Sequence, residues 1–261
     1  MFIRGKDGIL SMNKSVCFVM TYHGRPEITR MSLYHMAWVV GRFKEQGVDA
    51  VGLVIGDDAN QAKYCEGLGL KHEYFPNFPL ADKYNYMWLR AVQHRKTYIC
   101  KLDSNNVHSF SYWDKCVEWV KGHKRAIFGG RRCIIANSDP HYPETCLFNA
   151  YDYYLLGTGI FYLTYTFENS VNLFKMYTPD HYCNFDGVII DAFMNWAVKK
   201  EHLEVVSDEE DDCIDLKSKV DIHSYQSYIE KPHYPRTFSI EELRGRHPHL
   251  DMYFKGGFAS S

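Results

Sequence analysis

Long apolar runs and paired cysteines are both absent from this sequence of 261 residues. No apolar run approaches the roughly 20 residues that a membrane-spanning helix needs. The eight cysteines are scattered without a Cys-x-x-Cys pair, and no signal-peptide pattern opens the chain. Several cysteines lie inside apolar runs, where a free thiol behaves as a small hydrophobic group. These absences predict a soluble, cytoplasmic protein whose cysteines stay reduced.

A strong excess of either charge is also missing, because the formal net charge is −2. No global basic field therefore indicates a nucleic-acid partner. Two local basic clusters, at 121–125 and at 131–132, are either solvated surface patches or contacts to phosphate groups. No Gly-x-Gly-x-x-Gly follows the first predicted strand, and there is no P-loop. This argues against a dehydrogenase-type dinucleotide fold, so phosphates would have to be bound by a metal ion and by lysine or arginine.

What the sequence does contain is an alternation of strand and helix patterns. With 46% hydrophobic residues, the chain can bury a full core as one domain. The segment 15–20 is a short continuous apolar run, as expected for a strand buried on both faces, and 27–46 has apolar residues at helical spacing. Further strands are predicted at 50–55, 72–75 and 97–102, and further helices at 59–67 and 82–94. This order predicts an α/β protein with a mixed, mainly parallel sheet flanked by helices.

The second half of the chain has a less regular pattern. Its predicted elements are helices at 113–122 and 185–199, strands at 126–128, 133–135 and 157–163, and a loop at 140–151. The acidic run 207–212 is predicted to be a solvated loop, since blocks of like charge are usually solvated. No repeat or linker divides the chain, so we predict one domain at 14–230. The tail at 231–261 is predicted to be irregular or to form a short helix.

Polar side chains follow several predicted strands at their carboxyl ends. The stretch Lys101-Leu-Asp-Ser-Asn-Asn106 leaves Asp103 and Asn105 at the end of one strand, at a spacing of two. Other polar groups at comparable positions are Thr21, Tyr22, Asp57, Asp58 and Lys83. Open α/β sheets bind ligands at this edge, and carboxylate with amide oxygens suits a hard divalent cation that also holds phosphates. The alternative is an Asx-rich turn without a functional role.

Motifs in a fixed order along the chain resemble those of one enzyme family. They are Thr21-Tyr-His-Gly-Arg-Pro-Glu27, Asn77-Phe-Pro-Leu-Ala-Asp-Lys-Tyr-Asn85, Lys101-Leu-Asp-Ser-Asn-Asn106, Asn184-Phe-Asp-Gly187, and Asp215-Leu-Lys-Ser218 with Ile222-His-Ser-Tyr225. In this order they resemble GT-A glycosyltransferases of tailed bacteriophages, in particular those that modify hydroxymethylpyrimidines in phage DNA. The resemblance spans about 15–228, nearly all of the predicted domain. It implies a GT-A fold and transfer of a sugar from a nucleotide sugar, usually with Mn²⁺ or Mg²⁺.

The resemblance implies a set of residues for the metal ion and the diphosphate. Asp103 and Asn105 occupy the Asp-x-Asp positions, and His223 would be a further metal ligand. Lys83 and Lys217 would face the diphosphate. This chain departs from the pattern at Asn105, which stands where the family has a second Asp. Asn offers a carbonyl oxygen but one formal charge less, so the affinity for a cation should fall. A histidine ligand favours Mn²⁺ over Mg²⁺.

The resemblance also implies residues for the nucleoside and for proton transfer. Those that would surround the nucleoside, with uracil as the family-typical base, are Thr21, Tyr22, Arg25 and one of Asp57 or Asp58. Asp186 would be the general base of an inverting enzyme, near the acceptor, and Asp191 is the second candidate. A retaining transfer needs no such base and stays open. Structural alternatives are Asp186 as a helix N-cap, His223 as an ordinary histidine and Lys83 as a solvated helix residue.

The acceptor implied by the resemblance is 5-hydroxymethylcytosine in phage DNA, inside the infected host cell, with a UDP-sugar as donor. A flipped base would be held by aromatic side chains such as Tyr151, Tyr153 and Tyr154, whose alternative role is core packing. The side chains that would contact backbone phosphates are Lys124, Arg125, Arg131 and Arg132. Other functions stay open: transfer to a glycan or to a sugar already on DNA, nucleotidyl transfer, or non-catalytic binding of sugar or DNA.

Overall fold

The computed structural model describes residues 3–4, 10–11, 14–77, 80–122, 125–137, 144–149, 155–168, 203–217 and 236–248 of the chain. Its strands are β1 (Ile3–Arg4), β2 (Leu10–Ser11), β3 (Ser15–Thr21), β4 (Asp49–Gly56), β5 (Lys71–Tyr74), β6 (Tyr98–Asp103), β7 (Asn106–His108), β8 (Ala126–Asn137), β9 (Glu144–Asn149), β10 (Ile160–Leu163), β11 (Glu204–Lys217) and β12 (Arg236–Ser239). Its helices are α1 (Pro26–Glu45), α2 (Ala59–Gly67), α3 (Leu80–Gln93), α4 (Phe110–Lys121), α5 (Thr164–Glu168) and α6 (Ile240–Arg246). Among the helices of these ranges, none is long and apolar enough to cross a membrane.

The amino-terminal half forms the parallel part of a ten-stranded sheet. β3 lies between β4 and β6 and is parallel to both, and β4 is also parallel to β5. The interior of β3, from Val16 to Met20, is at most 1% exposed, which explains its unbroken apolar run. The helices α1 and α3 pack against β4 and β3. The predicted alternation of parallel strands and helices is therefore confirmed for this half of the chain.

The sheet continues beyond β6 with strands of mixed direction. β10 is antiparallel to β6 and touches β8 through the pair Phe161 and Phe128. β8 also pairs antiparallel with β9 and parallel with β11, and β12 is antiparallel to β9. β11 then pairs antiparallel with β7, with Asp215 opposite Asn106. Because β7 begins directly after the turn that follows Asp103, this pairing brings the end of β11 to that turn.

Two predictions for the second half are wrong, and two elements, α5 and β12, were not predicted. The predicted helix at 185–199 lies outside the described residues. Residues 144–149, predicted as loop, form β9, and the acidic run 207–212, predicted as a solvated loop, belongs to β11. A β-bulge between Asp208 and Asp212 interrupts the pairing with β8. Basic side chains offset the repulsion in this run: Glu209 lies 2.8 Å from Arg131 and Asp208 lies 2.8 Å from Lys115. In the tail, the described residues form β12 and the short helix α6.

Aromatic side chains fill the centre of the core. The ring centroid of Phe18 lies 5.0 Å from that of Phe43 and 6.0 Å from those of Trp113 and Phe161, in edge-to-face arrangements. All four side chains are completely buried. Such pairs contribute about 0.5–1.5 kcal/mol each beyond the burial of their area. The high aromatic content of the chain thus serves, for these described residues, to pack the sheet against α1 and α4.

A buried histidine makes the stability of the fold depend on pH. His108 is 2% exposed, stacks on Tyr112 at 4.5 Å, and its Nε2 has no hydrogen-bond partner among the described residues. Burial lowers the pKa of His108 from 6.5 to about 3, although Asp211 and Asp208 act in the opposite direction. Below pH about 6.5 the unfolded chain therefore binds a proton that the folded chain does not, so stability falls as the pH decreases.

We expect the free energy of unfolding to be about 2 kcal/mol lower at pH 5 than at pH 7.5 from His108 alone. His72 and His94, whose pKa values burial also lowers, add to this slope. Urea titrations at several pH values measure it. In His108→Gln, which cannot titrate, the slope should be smaller by up to about 1.4 kcal/mol per pH unit. Equal slopes in the two proteins would show that His108 is protonated as easily in the folded as in the unfolded chain.

Candidate functional site

The carboxyl ends of β3, β4 and β6 meet at one edge of the sheet, as the sequence predicts. In the strand register, Thr21 at the end of β3 lies opposite Ile55 on one side and Asp103 on the other. Asp57 follows β4 by one residue, so it joins the same edge. Thr21 and Asp103, which are 82 positions apart in sequence, are thus neighbours here. We call this edge, formed by 21–25, 56–58 and 103–105 with Lys83, the rim.

Tyr22 closes one side of the rim, with its ring packed closely against Gly56 at the end of β4. A Cβ atom on Gly56 would be 2.0 Å from the Tyr22 ring, so only glycine allows this contact. The Tyr22 hydroxyl donates to the carbonyl of Asp58 at 3.0 Å and lies 2.9 Å from Nε2 of His72. Burial raises the pKa of the Tyr22 hydroxyl and lowers that of His72. Tyr22 is 3% exposed, so its ring forms part of the wall behind the rim and hardly reaches solvent.

The two neighbouring aspartates of the rim have different environments. The Asp58 side chain is the N-cap of α2 and accepts hydrogen bonds from the backbone of Asn60 at 2.7 Å and Gln61 at 3.1 Å. The Asp57 side chain is 20% exposed and lies 2.9 Å from Nδ1 of His23. A cap of this kind stabilises a helix by about 1 kcal/mol and uses the carboxylate. Asp57 is therefore the aspartate whose carboxylate is directed to the rim.

Lys83 is a fully buried lysine of α3, not a solvated helix residue. Its Nζ donates to the carbonyl of Tyr22 at 2.5 Å and to Oδ1 of Asn77 at 3.3 Å, and lies 3.9 Å from Asp57. Burial lowers the pKa of Lys83, while the charge of Asp57 acts in the opposite direction. The ammonium group fastens α3 to the end of β3. It also contributes positive potential to the rim.

Arg25 links the first loop of the rim to the turn after β6. It adopts a left-handed backbone conformation, with φ 46°, directly before Pro26 begins α1. Its guanidinium donates to the Ser104 hydroxyl at 3.2 Å. Non-glycine residues in this conformation carry strain of about 1–3 kcal/mol and occur often at functional sites. The strained loop thus holds Arg25 against the turn that contains Asp103 and Asn105.

Asp103 forms an ion pair with Lys101 that sequence reasoning missed. The Lys101 side chain is 4% exposed, and its Nζ lies 2.6 Å from Oδ1 of Asp103 and 3.1 Å from the carbonyl of Gly157. The backbone N–H of Asp103 donates to the Thr158 hydroxyl at 3.2 Å. The alternation of side chains along a strand, which puts residues two apart on the same face, is the signal that could have indicated this pair.

Asn105 is held by the end of β11, a second contact that sequence reasoning missed. Its Nδ2 donates to Oδ1 of Asp215 at 2.6 Å and to the carbonyl of Leu216 at 3.2 Å. The Leu216 N–H donates to the carbonyl of Asn105 at 2.8 Å. No sequence signal indicates this contact, because it joins positions 110 residues apart. The motif that contains Asp215 was found by resemblance, but no role was assigned to that side chain.

The donor atoms at this turn are of a kind that binds hard cations. Asp103 and the side-chain carbonyl of Asn105 offer oxygen atoms, which Mg²⁺ and Mn²⁺ accept. Within the described ranges, no group of three or more His, Cys, Asp or Glu residues is suited to hold a metal ion. The Lys101 ammonium also cancels much of the charge of Asp103. The chemistry of the two oxygen donors fits a divalent cation, but a full ligand set requires groups beyond these two.

Several residues predicted from the sequence lie outside the described residues. They are Tyr151, Tyr153, Tyr154, Asp186, Asp191 and His223, together with Lys124 of the first basic cluster. Lys217 ends β11, two residues after Asp215, and its side chain lies outside the described part of the chain. The roles implied for all of these side chains therefore stay predictions.

The described arginines of the two basic clusters have partners within the protein. Arg131 forms an ion pair with Glu209 at 2.8 Å, and Arg132 donates to the carbonyl of Glu210 at 3.1 Å. Arg125 donates to the hydroxyl of Tyr165 at 3.0 Å. Contacts from Arg131 or Arg132 to DNA phosphates would have to compete with the acidic run of β11.

Comparisons with known proteins give fold-level similarity to solved structures. No family model matches the sequence, and no curated protein matches it. The crystal structure of S. aureus TarS 1–349 is similar with a TM-score of 0.54 at 13% identity, over 77% of this chain and 60% of that one. The same fragment in complex with UDP has a TM-score of 0.51 at 16% identity, over 78% and 60%. This chain thus spans less than two thirds of the fragment that it matches. The sheet topology and this similarity identify the fold as the GT-A fold that the sequence motifs imply.

Proposed function

We propose that the protein is a glycosyltransferase that moves a sugar from a UDP-sugar to a hydroxyl group of an acceptor. The observation that carries the proposal is the convergence of Thr21, Asp57 and Asp103 at one edge of a GT-A fold, beside the buried Lys83. Ligands of open α/β sheets bind at the carboxyl ends of the strands. The similar TarS fragment was solved in complex with UDP, which is the nucleotide that we propose for this rim.

For the nucleoside we propose a pocket formed by Thr21, Tyr22, Arg25 and Asp57. Of the two candidate aspartates we favour Asp57, because the carboxylate of Asp58 is used as the cap of α2. The Tyr22 ring against Gly56 would form one wall. The partly exposed carboxylate of Asp57 would accept a hydrogen bond from the base.

For the diphosphate we propose binding by Lys83, Lys217 and a divalent cation, Mn²⁺ in preference to Mg²⁺. Asp103, the side-chain oxygen of Asn105 and His223 would hold this cation. When bound there, it would neutralise charge on the departing diphosphate. The buried Lys83 would add positive potential without moving, because α3 and the carbonyl of Tyr22 hold it in place.

For the reaction we propose inversion at the sugar, with Asp186 as the general base and Asp191 as the second candidate. The carboxylate takes the proton of the acceptor hydroxyl as its oxygen bonds to the anomeric carbon. The bond from that carbon to the diphosphate oxygen breaks on the opposite side, and its electron pair leaves with the UDP. If neither Asp186 nor Asp191 acts as the base, the transfer is instead expected to be retaining.

As the acceptor we propose 5-hydroxymethylcytosine in DNA, on the strength of the resemblance to phage enzymes. Tyr151, Tyr153 and Tyr154 would hold the flipped base. Lys124 would contact backbone phosphates, and Arg125, Arg131 and Arg132 would do so by exchanging their partners within the protein for DNA. The reaction would take place in the cytoplasm of the infected cell, for which the six described cysteines, all free and buried, are suited.

The test is release of UDP from a panel of UDP-sugars with Mn²⁺. Each donor is combined with hydroxymethylcytosine-containing DNA, with unmodified DNA, with a glycan mixture and without acceptor. Release that requires hydroxymethylated DNA would support both the reaction and the acceptor, and release with another acceptor would support the reaction alone. Asp186→Asn should lower the rate by about 100-fold or more while UDP binding persists. UDP binding without release by any acceptor would favour a non-catalytic protein, and absence of UDP binding would refute the nucleotide site.

A further inference from the structure

We propose that Asp215 is a positioning residue that orients the side chain of Asn105 toward the nucleotide and supplies the negative charge that Asn105 lacks. The identity of the ligand, a diphosphate with a divalent cation, rests on the function proposed above. The geometry on which the role of Asp215 rests does not depend on that function.

The hydrogen bonds of Asn105 allow only one orientation of its amide. Its Nδ2 donates to the carboxylate of Asp215 at 2.6 Å and to the carbonyl of Leu216 at 3.2 Å. Both partners are acceptors, so a flipped amide would place its oxygen against two other oxygens. Asn105 is 9% exposed, so water cannot easily relieve that repulsion. The side-chain oxygen of Asn105 is therefore directed away from β11.

That oxygen is available on the side of the rim. It accepts no hydrogen bond from the described residues, and it is not among the polar atoms that are sealed from solvent without a partner. The backbone keeps it there, because the N–H of Leu216 donates to the carbonyl of Asn105 and β11 pairs with β7. The Asp215 carboxylate and the Leu216 carbonyl thus accept the two amide hydrogens of Asn105. The side-chain oxygen of Asn105 is left to act as a ligand.

The carboxylate of Asp215 also places a negative charge beside the turn. Lys101 lies 2.6 Å from Asp103 and the Arg25 guanidinium donates to the Ser104 hydroxyl, so positive groups lie at this turn as well. A divalent cation is attracted by each negative charge near its site. The Asp215 carboxylate, 2.6 Å from Nδ2 of Asn105, is one such charge.

The same contact explains why an acid is absent at position 105. A carboxylate there would come within hydrogen-bond distance of the Asp215 carboxylate and the Leu216 carbonyl, with no hydrogen between them. Like charges in such contact repel strongly in a buried site. The Asp-x-Asp pattern is thus present in another form, with its second carboxylate on β11 and the ligand oxygen on Asn105.

The test is a double-mutant cycle with Asn105→Asp, Asp215→Asn and the combination of the two. The measurements are the melting temperature and the affinity for UDP by calorimetry, with and without Mn²⁺. Asn105→Asp should melt at a lower temperature than the wild type and bind UDP more weakly. Asp215→Asn keeps an acceptor for Asn105 but loses the charge, so the gain in UDP affinity from Mn²⁺ should fall by about tenfold. In the combination, the amide introduced at position 215 can donate to the carboxylate introduced at position 105. Both readouts should then return to within about threefold or a few degrees of the wild type.

The outcomes separate this role from the proposed function. A combination no better than Asn105→Asp would overturn the role of Asp215, as would an unchanged gain from Mn²⁺ in Asp215→Asn. If Asp215 acts only in folding, the double variant recovers the melting temperature, but Asp215→Asn shows the same increase in UDP affinity with Mn²⁺ as the wild type. That result would also contradict the proposal. If the wild type binds no UDP, the proposed function fails and the role of Asp215 fails with it. If the wild type binds UDP and the cycle shows no rescue, only the role of Asp215 fails.

Discussion

Asp103→Asn is expected to unfold at clearly lower urea concentration than the wild type and to lose cation-dependent UDP binding. The variant leaves the Lys101 ammonium, 4% exposed, without the carboxylate that lies 2.6 Å from it. Lys101 also donates to the Gly157 carbonyl and lies over the face of the Tyr84 ring at 5.5 Å. Removing one partner of a buried ion pair costs about 3–5 kcal/mol, and the partial exposure of Asp103, 23%, puts the expected loss at the lower end.

A second variant separates the loss of stability from the loss of binding. Lys101→Met combined with Asp103→Asn removes both charges, and such replacements are often neutral. We expect this double variant to recover most of the free energy of unfolding while UDP affinity with Mn²⁺ stays at least about tenfold weaker than in the wild type. Urea titration and calorimetry measure the two effects. Recovery of binding in the double variant would place Asp103 outside the nucleotide site, and wild-type stability of Asp103→Asn would show that the ion pair contributes little.

Gly56→Ala is expected to destabilise the protein by about 3 kcal/mol and to weaken UDP binding. The new methyl group would meet the Tyr22 ring at 2.0 Å. That ring cannot move easily, because it is 3% exposed and its hydroxyl is bound to the Asp58 carbonyl and to His72. A shift of Tyr22 would also move the carbonyl that accepts from Lys83. We therefore expect at least about a tenfold loss of UDP affinity, because misplacement by an ångström is costly in a site.

The matched control is Gly41→Ala in α1, where a Cβ atom meets nothing within 4 Å. The chemical change is identical, but here it should stabilise by about 0.5–1 kcal/mol, since glycine in a helix interior is unfavourable relative to alanine. UDP affinity should stay at the wild-type value, because Gly41 is not one of the residues that form the rim. Wild-type stability and binding in Gly56→Ala would mean that the ring of Tyr22 is not fixed against β4, and the proposed wall of the nucleoside pocket would be lost.

Local sequence patterns were enough to predict the amino-terminal half, where interactions between residues close in sequence decide the secondary structure. The continuous apolar run of β3 reflects burial on both faces of a parallel strand, and the helical spacing in α1 reflects one buried face. The rule that parallel strands present their carboxyl ends at one edge then predicts that Thr21, Asp57 and Asp103 meet. Periodicity failed in the second half because pairing with distant strands decides the structure there. β9 pairs with β8, and the acidic run of β11 is extended although acidic residues are depleted in strands, because β8 pairs with it on both sides of the bulge.

The sequence by itself determined the alternating fold of the first half, the edge at which ligands are expected and the oxygen-bearing pair Asp103 and Asn105. Only the tertiary structure decided how the side chains at this edge are positioned. Asp103 forms an ion pair with the buried Lys101, Asn105 donates to Asp215, and the Tyr22 ring fits against Gly56 because glycine has no side chain. The physical reason is the range of the interactions. Strand and helix propensities act over a few residues, whereas the charge and orientation of a side chain depend on contacts such as that between Asn105 and Asp215, 110 positions apart.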